Sequence, residues 1–447
     1  MADLAKMGPM GLNALGARDA AIQLASGDIT SEAIVRDCLD RIDAREGVVH
    51  AWDYIDPDYA IAQAKTLDGM ARKSVLHGVP VGIKDIFDTL DMPTAHGFGP
   101  YAGERSDRDS NCVAALRAAG MVIMGKTVTT EFACPVPRQT RNPHNPDRTA
   151  GVSSSGSGAS VADFMVPLAV GSQTGGSVIG PSANCGVYGY KASLDGIDRG
   201  GFRHCKPSID TIGLFARSVD DLILMRAVQT GGAIPQDKDK IDRSGTVRIG
   251  VVRTPDWDTT EPCMQAAIER AANVLGQAGA TVSDVTLPQK FSDIIPEFSV
   301  INGWEAMISL ADEIKNHPDA FNDHNRKRIE EARRLKVEDY ERAGKTLNGA
   351  RAEMNDLFSD YDVFITPSLA GEAQIGHDRA IGANFSRLWT QMYAPAVNVP
   401  RFTGPNDMPV CFQVIGPKDS DDATLAFADW IDARLGDALG PVPESVA

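Results

Sequence analysis

The stretch Gly151-Val-Ser-Ser-Ser-Gly-Ser-Gly-Ala-Ser160 is the most unusual part of the sequence, because small residues fill it. A run of this composition is, by itself, typical of a flexible linker. It leads directly into the largely apolar residues 161–168, and a second small-residue run, Gly171-Ser-Gln-Thr-Gly-Gly-Ser177, follows. A linker is not normally embedded in core-forming sequence, so we expect both runs to belong to the folded core.

Short apolar runs and helical patterns alternate on both sides of this stretch. The sequence predicts strands at 78–85, 121–124, 166–170, 247–252, 281–285, 362–367 and 409–415. It predicts helices at 110–119, 262–275 and 421–435. Strands separated by helices are typical of an α/β fold, so we expect a mixed, mostly parallel central sheet covered by helices on both faces.

Two further segments are predicted to be helical. Residues 1–75 contain apolar positions at helical spacing after a cap at Thr30 or Ser31. Residues 303–358 carry a dense run of arginine, lysine and glutamate, which is typical of solvated helices. Because large α/β enzymes often keep this much chain in one unit, we expect a single domain over 1–447.

Composition and charge exclude several classes of protein. Of the 447 residues, 43% are hydrophobic and 23% are charged, which argues against disorder and coiled-coil architecture. The formal net charge of −16 repels nucleic-acid backbones and anionic lipid. No run approaches ~18 apolar residues, and the first residues lack a secretion signal. We therefore expect a cytoplasmic protein with no nucleic-acid or membrane partner.

The cysteine and histidine patterns support neither a disulfide framework nor a metal site. The seven cysteines are scattered without a CxxC pair, and the eight histidines include no HExxH motif. This distribution suits a reducing compartment. We therefore expect no cofactor and no metal.

The second small-residue run has a chemical use. Gly175 and Gly176 can turn their backbone N–H groups toward one point just before Ser177, as an oxyanion hole requires. A serine nucleophile needs a base, and no histidine lies in a nucleophile elbow. Lys84 closes an apolar strand and is the lysine expected to be buried, where desolvation favours its neutral, basic form.

Several motifs resemble the amidase signature family of serine hydrolases. The principal ones are Gly78-Val-Pro-Val-Gly-Ile-Lys84-Asp, Gly151-Val-Ser-Ser-Ser-Gly156 and Gln173-Thr-Gly-Gly-Ser-Val-Ile-Gly-Pro-Ser-Ala-Asn-Cys-Gly-Val-Tyr-Gly-Tyr-Lys191. The resemblance runs over about residues 20–435, and Ser153 and Ser177 keep the family's interval of 24 residues. It implies the amidase signature fold, with a helical part at 1–75, a catalytic core at 76–230 and a helical variable insertion at 295–360.

The resemblance also implies a Ser–cis-Ser–Lys triad. Ser177 would be the nucleophile, and Ser153, after a cis peptide bond from Val152, would be the bridging serine. Lys84 would act as general base and later as acid. The oxyanion would be held by backbone N–H groups, those of Thr174, Gly175, Gly176 and Ser177. Water would finally hydrolyse the acyl-enzyme.

Other residues compete for two of these roles. The bridging hydroxyl could come from neighbouring serines: Ser154, Ser155 or Ser157. Gly120-Met-Val-Ile-Met-Gly-Lys-Thr127 fits the phosphate-loop pattern, although its apolar centre favours a buried strand. Cys185 could be a thiol nucleophile, but its apolar setting favours a structural role. Asp85 and Asp210 could be catalytic acids, but capping or support of other residues is favoured.

The substrate pocket is expected at residues 98–101, 134–136 and 388–393, which correspond to pocket positions of relatives. The tentative contacts are Cys134, Val136, Trp389 and Tyr393. Many family members carry an arginine two or three residues after the nucleophile, where this chain has Ile179 and Gly180. Without that clamp we expect a small neutral, possibly aromatic amide, anilide or carbamate, with esters as a further possibility.

Three functions follow from these observations. The first is a standalone amidohydrolase, which the resemblance implies to be a homodimer. The second is an amidotransferase component that supplies ammonia to a partner subunit. The third is a binding protein that kept the fold, and retention of all three triad positions argues against it.

Overall fold

The computed structural model describes residues 11–233, 246–376 and 385–436. The strands of these residues are β1 (Trp52–Ile55), β2 (Pro80–Lys84), β3 (Val122–Thr127), β4 (Leu168–Gln173), β5 (Tyr188–Lys191), β6 (Thr211–Ala216), β7 (Arg248–Val252), β8 (Thr281–Val285), β9 (Val363–Pro367), β10 (Ala396–Thr403) and β11 (Pro409–Ile415). The α-helices are α1 (Ala17–Ser26), α2 (Ser31–Val49), α3 (Pro57–Asp68), α4 (Asn111–Ala118), α5 (Ser155–Ala162), α6 (Ile179–Cys185), α7 (Val219–Thr230), α8 (Pro262–Gln277), α9 (Lys290–Ser309), α10 (Ala311–Asn316), α11 (Asp323–Ala332), α12 (Val337–Leu357), α13 (Arg387–Gln391) and α14 (Asp421–Leu435).

The strands form one mixed sheet in the order β1-β3-β2-β4-β6-β5-β10-β11-β9-β7-β8. Every residue of β2, β3, β4 and β6 is buried, so both faces of the sheet are covered at its centre. The predicted α/β fold with a mixed sheet is therefore confirmed. Among the described helices, none is both long and apolar enough to cross a membrane.

The expectation that the sheet is mostly parallel is wrong. Within the described residues, four strand pairs are parallel, β2–β3, β2–β4, β7–β8 and β7–β9, and the other six are antiparallel. The sequence patterns did not indicate β1, β5, β6 and β10, and all but one of the antiparallel pairs involve one of them. These strands lack a long apolar run, because glycine interrupts β5 and β6, and Pro400 and Arg401 interrupt β10.

The predicted helical signals are found with small shifts. Thr30 rather than Ser31 caps α2, because the Thr30 hydroxyl accepts the Ala33 N–H at 3.1 Å. Helix α4 follows Ser110, and the chain leaves it through Gly120, whose φ is 79°. The charged segment 303–358 is helical, as predicted, and consists of the end of α9 followed by α10, α11 and α12.

Two neighbouring parallel strands position the candidate site. Strands β2 and β4 pair in parallel, with Ile83 opposite Val170, so their carboxyl ends lie at the same edge of the sheet. The serine-rich run precedes and forms α5, which is buried throughout. Gly156 allows this helix to approach closely, because a Cβ there would lie 2.4 Å from the Ala51 oxygen and the Val128 nitrogen.

A buried ion pair anchors the end of α5. Asp163 directly follows α5 and is fully buried. Its carboxylate pairs with Arg41 and, at 2.9 Å, with Arg45, both on α2. The Asp163 carbonyl oxygen also accepts a hydrogen bond from Arg41 at 2.7 Å. These contacts connect the N-terminal helices to the element that carries the serine-rich run.

We predict that Asp163→Asn lowers the free energy of unfolding by about 3 kcal/mol, because it leaves a buried arginine without its counter-charge. Urea unfolding followed by circular dichroism measures this change. Asp40→Asn, at an exposed position of α2, is the matched control and should change stability by less than about 0.5 kcal/mol. Equal stability of the two variants would contradict the anchoring role of Asp163.

Candidate active site

Lys84 ends the central strand β2 and is fully buried. Its amine contacts three hydroxyls, those of Ser153 at 2.6 Å, Ser172 at 2.8 Å and Ser154 at 3.0 Å. Within the described residues, no carboxylate oxygen lies within ion-pair distance of this amine. The side chain is therefore held by neutral groups that can donate or accept a proton.

The surroundings of Lys84 favour its neutral form. Burial lowers the pKa of this amine well below the ordinary value for lysine. The more distant Asp210 carboxylate opposes that shift, and the positive charge of Lys206 adds to it. A neutral amine accepts protons, so Lys84 has the property required of a base near neutral pH.

The expected cis peptide bond before Ser153 is wrong. The described residues contain no cis peptide bond, so the Val152–Ser153 bond is trans. The tight turn is instead made by left-handed backbone, with φ of 91° at Gly151 and 60° at Ser153. A Cβ at Gly151 would lie 2.8 Å from the Pro181 Cα, so glycine is required there. The unusual conformation of Ser153 directs its hydroxyl at Lys84.

The structure separates Ser153 from its three competitors. Ser154 reaches Lys84, but its hydroxyl also donates to the Ser172 carbonyl at 3.1 Å. The Ser157 hydroxyl donates to the Val170 carbonyl at 2.8 Å, and the Ser155 hydroxyl is buried without a partner in the described part of the chain. Within the same residues, the hydroxyl of Ser153 bonds to Lys84 alone. Ser172 was not singled out from the sequence, although its place four residues after Leu168 in the parallel neighbour of β2 could have indicated it.

Ser177 lies in the turn between β4 and α6 and is half-buried. Within the described part of the chain, its hydroxyl makes no hydrogen bond, including none to Ser153. The backbone N–H groups of Gly175, Gly176 and Ser177 are likewise unengaged there. Free donors beside an accessible hydroxyl are the arrangement that an oxyanion hole requires.

Gln173 fixes the position of this turn. Its side-chain oxygen accepts the N–H groups of Val178 at 2.9 Å and Ile179 at 3.1 Å. Its side-chain nitrogen donates to the Thr390 hydroxyl at 3.0 Å. The next residue, Thr174, donates from its hydroxyl to Asp210 at 2.5 Å. The turn is therefore held from both sides, and neither Gln173 nor Thr390 was singled out as a site residue from the sequence.

Asp85, Asp210 and the phosphate-loop candidate have structural positions. Asp85 pairs with Lys126 at 3.0 Å, and both side chains are buried. Lys126 lies inside strand β3 rather than before a helix, so the phosphate-loop interpretation is wrong. Asp210 accepts the backbone N–H groups of Cys205 and Lys206 at 2.8 Å and 2.9 Å, in addition to Thr174.

The cysteines are all free and buried, as their scattered pattern indicated. Burial raises the pKa of the Cys185 thiol, which disfavours the thiolate that a nucleophile needs. Its sulfur lies 3.7 Å from the Ala150 carbonyl oxygen. These contacts favour the structural role expected for Cys185.

The tentative pocket residues occupy different environments. Trp389 is fully buried and packs near Phe364, with 6.1 Å between ring centroids, in an apolar cluster. Tyr393 is only partly buried, and the Arg351 guanidinium lies 3.7 Å from the centre of its ring. Cys134 is buried, and its sulfur accepts a hydrogen bond from the Asn322 side chain at 3.5 Å. Val136 is half-buried. Contact of these residues with substrate stays a prediction.

The chain is similar to curated proteins of one kind, which are components of glutamyl-tRNA(Gln) amidotransferase. The one from Acidothermus cellulolyticus is 37% identical over 314 residues, which is 65% of this chain and 62% of the relative. The protein of the same name from Mycobacterium tuberculosis is 36% identical over 319 residues, 65% of this chain and 64% of that protein. The match thus spans less than two thirds of the length of these curated relatives.

Solved structures match over nearly the whole chain. A chain from a vestigial protein complex, which reveals the evolutionary origins of an s-triazine catabolic enzyme, has a TM-score of 0.85 at 26% identity. That match covers 94% of this chain and 99% of the other. Peptide amidase from Stenotrophomonas maltophilia has a TM-score of 0.81 at 25% identity, covering 96% of this chain and 98% of that one.

A family model supports the same relationship. The model for the amidase family matches residues 33–425, which include β2, the serine-rich run and the turn at Ser177. The sequence motifs, the mixed sheet and the solved structures agree with this match. The chain therefore belongs to the amidase family.

Proposed function

We propose that the protein is a serine amidohydrolase that cleaves a C–N bond through an acyl-enzyme on Ser177. The observation that carries this proposal is the fully buried Lys84 amine, 2.6 Å from the Ser153 hydroxyl and without a carboxylate partner among the described residues. A lysine in this environment is a base rather than a structural cation. Membership of the amidase family supports the same chemistry.

The proposed path moves one proton through two hydroxyls. Ser177 gives its proton to Ser153 as Ser153 gives its own to neutral Lys84, and the Ser177 oxygen attacks the carbonyl carbon. The free N–H groups of Gly175, Gly176 and Ser177 would hold the oxyanion. The leaving amine takes a proton back from Lys84 through Ser153. Water then releases the acid from Ser177, with Lys84 again accepting a proton.

The substrate of this reaction is proposed to be a small amide, anilide or carbamate. The same acyl chemistry also serves esters, so the reactive carbonyl is better constrained than the group that leaves. Ile179 and Gly180, both buried, provide no charged clamp beside the nucleophile. This favours an uncharged scissile group at Ser177 itself.

A second candidate function is that of an amidotransferase component supplying ammonia to a partner. It is favoured by the similarity to the glutamyl-tRNA(Gln) amidotransferase proteins of Acidothermus cellulolyticus and Mycobacterium tuberculosis. A protein with this function would copurify with other chains, and its ammonia release would depend on them. The standalone hydrolase would instead turn over a simple amide as a pure protein.

We predict that Ser177→Ala abolishes release of amine from a p-nitroanilide by the pure protein. It should also abolish labelling by a serine-reactive fluorophosphonate, read as the mass of the intact protein and mapped to a peptide. Ser182→Ala, also near the turn but donating to the Ile179 carbonyl inside α6, is the control for folding. Labelling of another serine, with Ser177 unmodified, would contradict the assignment.

We predict that Lys84→Met folds but loses several orders of magnitude in kcat, because it removes the proton acceptor while filling the same space. Thermal unfolding measures the first effect, and stopped anilide assays measure the second. Lys84→Met should not be less stable than the wild type by more than about 1–3 kcal/mol, since it removes a buried cation. Turnover close to that of the wild type would exclude Lys84 as the base.

The pH profile gives an independent prediction. Only neutral Lys84 accepts a proton, so kcat/KM should rise with pH through the pKa of this amine and then level off. Because burial lowers that pKa, the rise should be complete below the ordinary lysine value of about 10.4. A rate that is maximal at acid pH would contradict the proposed proton path.

We predict that Ser153→Ala lowers kcat by about 10²-fold or more, because it breaks the link between Lys84 and Ser177. Ser155→Ala is the matched control, since Ser155 lies in the same run and its buried hydroxyl has no partner among the described residues. Ser155→Ala should therefore keep near-normal turnover. Equal losses in the two variants would indicate that packing of the run, rather than a proton relay, governs the rate.

A further inference from the structure

A small cavity lies between the catalytic core and the charged helical segment. Its walls come from α9, α11 and two loops of the core, and they include Phe132, Lys206, Met307, Asn325 and Arg328. Two of these five side chains are cationic, and none is a carboxylate. The proposed reaction uses neither cation.

Lys206 is 3% exposed, yet within the described residues its amine makes no hydrogen bond and no ion pair. The nearby Asp210 carboxylate binds the backbone N–H of Lys206, not its side chain. An isolated ammonium in such a position costs several kcal/mol relative to water. A buried cation without a counter-charge is therefore a strong indication that an anion binds there.

Arg328 is the second cation. Burial lowers the pKa of its guanidinium, and within the described residues its side chain donates a hydrogen bond only to the neutral Asn302 side chain. No carboxylate of those residues lies within ion-pair distance of it. Arginine carries planar, paired donors that match a carboxylate. Most of its donor capacity is thus available to a ligand in the cavity.

The neighbouring carboxylates are already engaged by other groups. Glu131 accepts the Asn325 side chain at 2.7 Å, and Glu305 accepts the Tyr340 hydroxyl at 2.7 Å. Glu313 accepts Arg203 at 2.5 Å. None of them neutralises Lys206 or Arg328 by direct contact. The cavity therefore keeps uncompensated positive charge.

The cavity is connected to the proposed reaction site. Asp210 holds the Lys206 backbone with one carboxylate oxygen and Thr174, at the start of the oxyanion turn, with the other. The Lys206 charge also acts on Lys84, whose pKa it lowers. Cys134, a predicted pocket residue, contacts Asn322 at the start of α11. A substrate at Ser177 thus has this cationic cavity within the same neighbourhood.

We propose that the substrate carries a carboxylate, which binds in this cavity between Lys206 and Arg328 while the amide lies at Ser177. The proposal rests on the proposed hydrolase function and narrows its substrate class to anionic amides. It revises the neutral substrate expected from Ile179 and Gly180, because the clamp comes from another part of the chain. The cavity is small, so it accepts a compact group rather than a ring.

The test measures binding without turnover. Ser177→Ala protein is titrated calorimetrically with succinyl and glutaryl p-nitroanilides and with uncharged butyryl and pentanoyl p-nitroanilides. Para-acetamidobenzoate and para-acetamidobenzamide test a carboxylate on the amine side. We expect one carboxylate compound to bind at least about tenfold more tightly than its uncharged match. Equal binding within every pair, or no binding at all, overturns the proposal.

Variants locate the preference. Lys206→Met and Arg328→Gln, each combined with Ser177→Ala, should remove the tenfold preference, and Lys206→Arg should keep most of it. Lys327→Gln is the matched control, because Lys327 is 77% exposed and adjoins Arg328 on α11. Lys206→Met should also raise the melting temperature, since it removes an unpaired buried cation. A preference that survives both charge-removing variants overturns the assignment.

The same compounds separate this proposal from the proposed function. Tight carboxylate binding without hydrolysis by the wild type would reject the hydrolase and keep the anion site. Hydrolysis of charged and uncharged compounds at equal kcat/KM would keep the hydrolase and reject the anion site. Binding of free acetate to the cavity with no preference among the amides would also reject it, because the carboxylate would then not belong to the substrate.

Discussion

The site depends on one constraint, which is the burial of the Lys84 amine among three hydroxyls and away from any carboxylate of the described residues. Lys126 shows the contrast. It is equally buried, in the neighbouring strand β3, but Asp85 lies 3.0 Å away and opposes the lowering of its pKa that burial produces. One fold therefore contains a lysine kept as a structural cation and another kept as a base.

The strand order explains how these hydroxyls reach Lys84. Because β2 and β4 are parallel neighbours, Lys84 and Ser172 come to the same edge without any long side chain having to bend. The left-handed turn at Ser153 supplies the third direction, from the segment ahead of α5. Glycine at 151 and 156 lets that segment fit between α6 and β3.

Much of this could be predicted from the sequence, because the information was local. The apolar run ending at Lys84 and the glycines before Ser177 indicated a buried base and free N–H donors. The parallel share of the sheet was overestimated, since β5 and β10 show no simple apolar pattern. The roles of Gln173 and Thr390 depend on contacts between residues 217 positions apart, which no local pattern contains. The same holds for Lys206 and Arg328, which only the packing of α9 and α11 brings together.

Gln173 has one more consequence. Its amide holds the first N–H groups of α6 and the Thr390 hydroxyl, and an amide carries no charge at any pH that the protein survives. A carboxylate in this place would change its bonding as it gained a proton, and the shape of the turn would change with it. Here the scaffold of the turn does not titrate, so acidification can silence the base while leaving the cradle for the carbonyl oxygen intact.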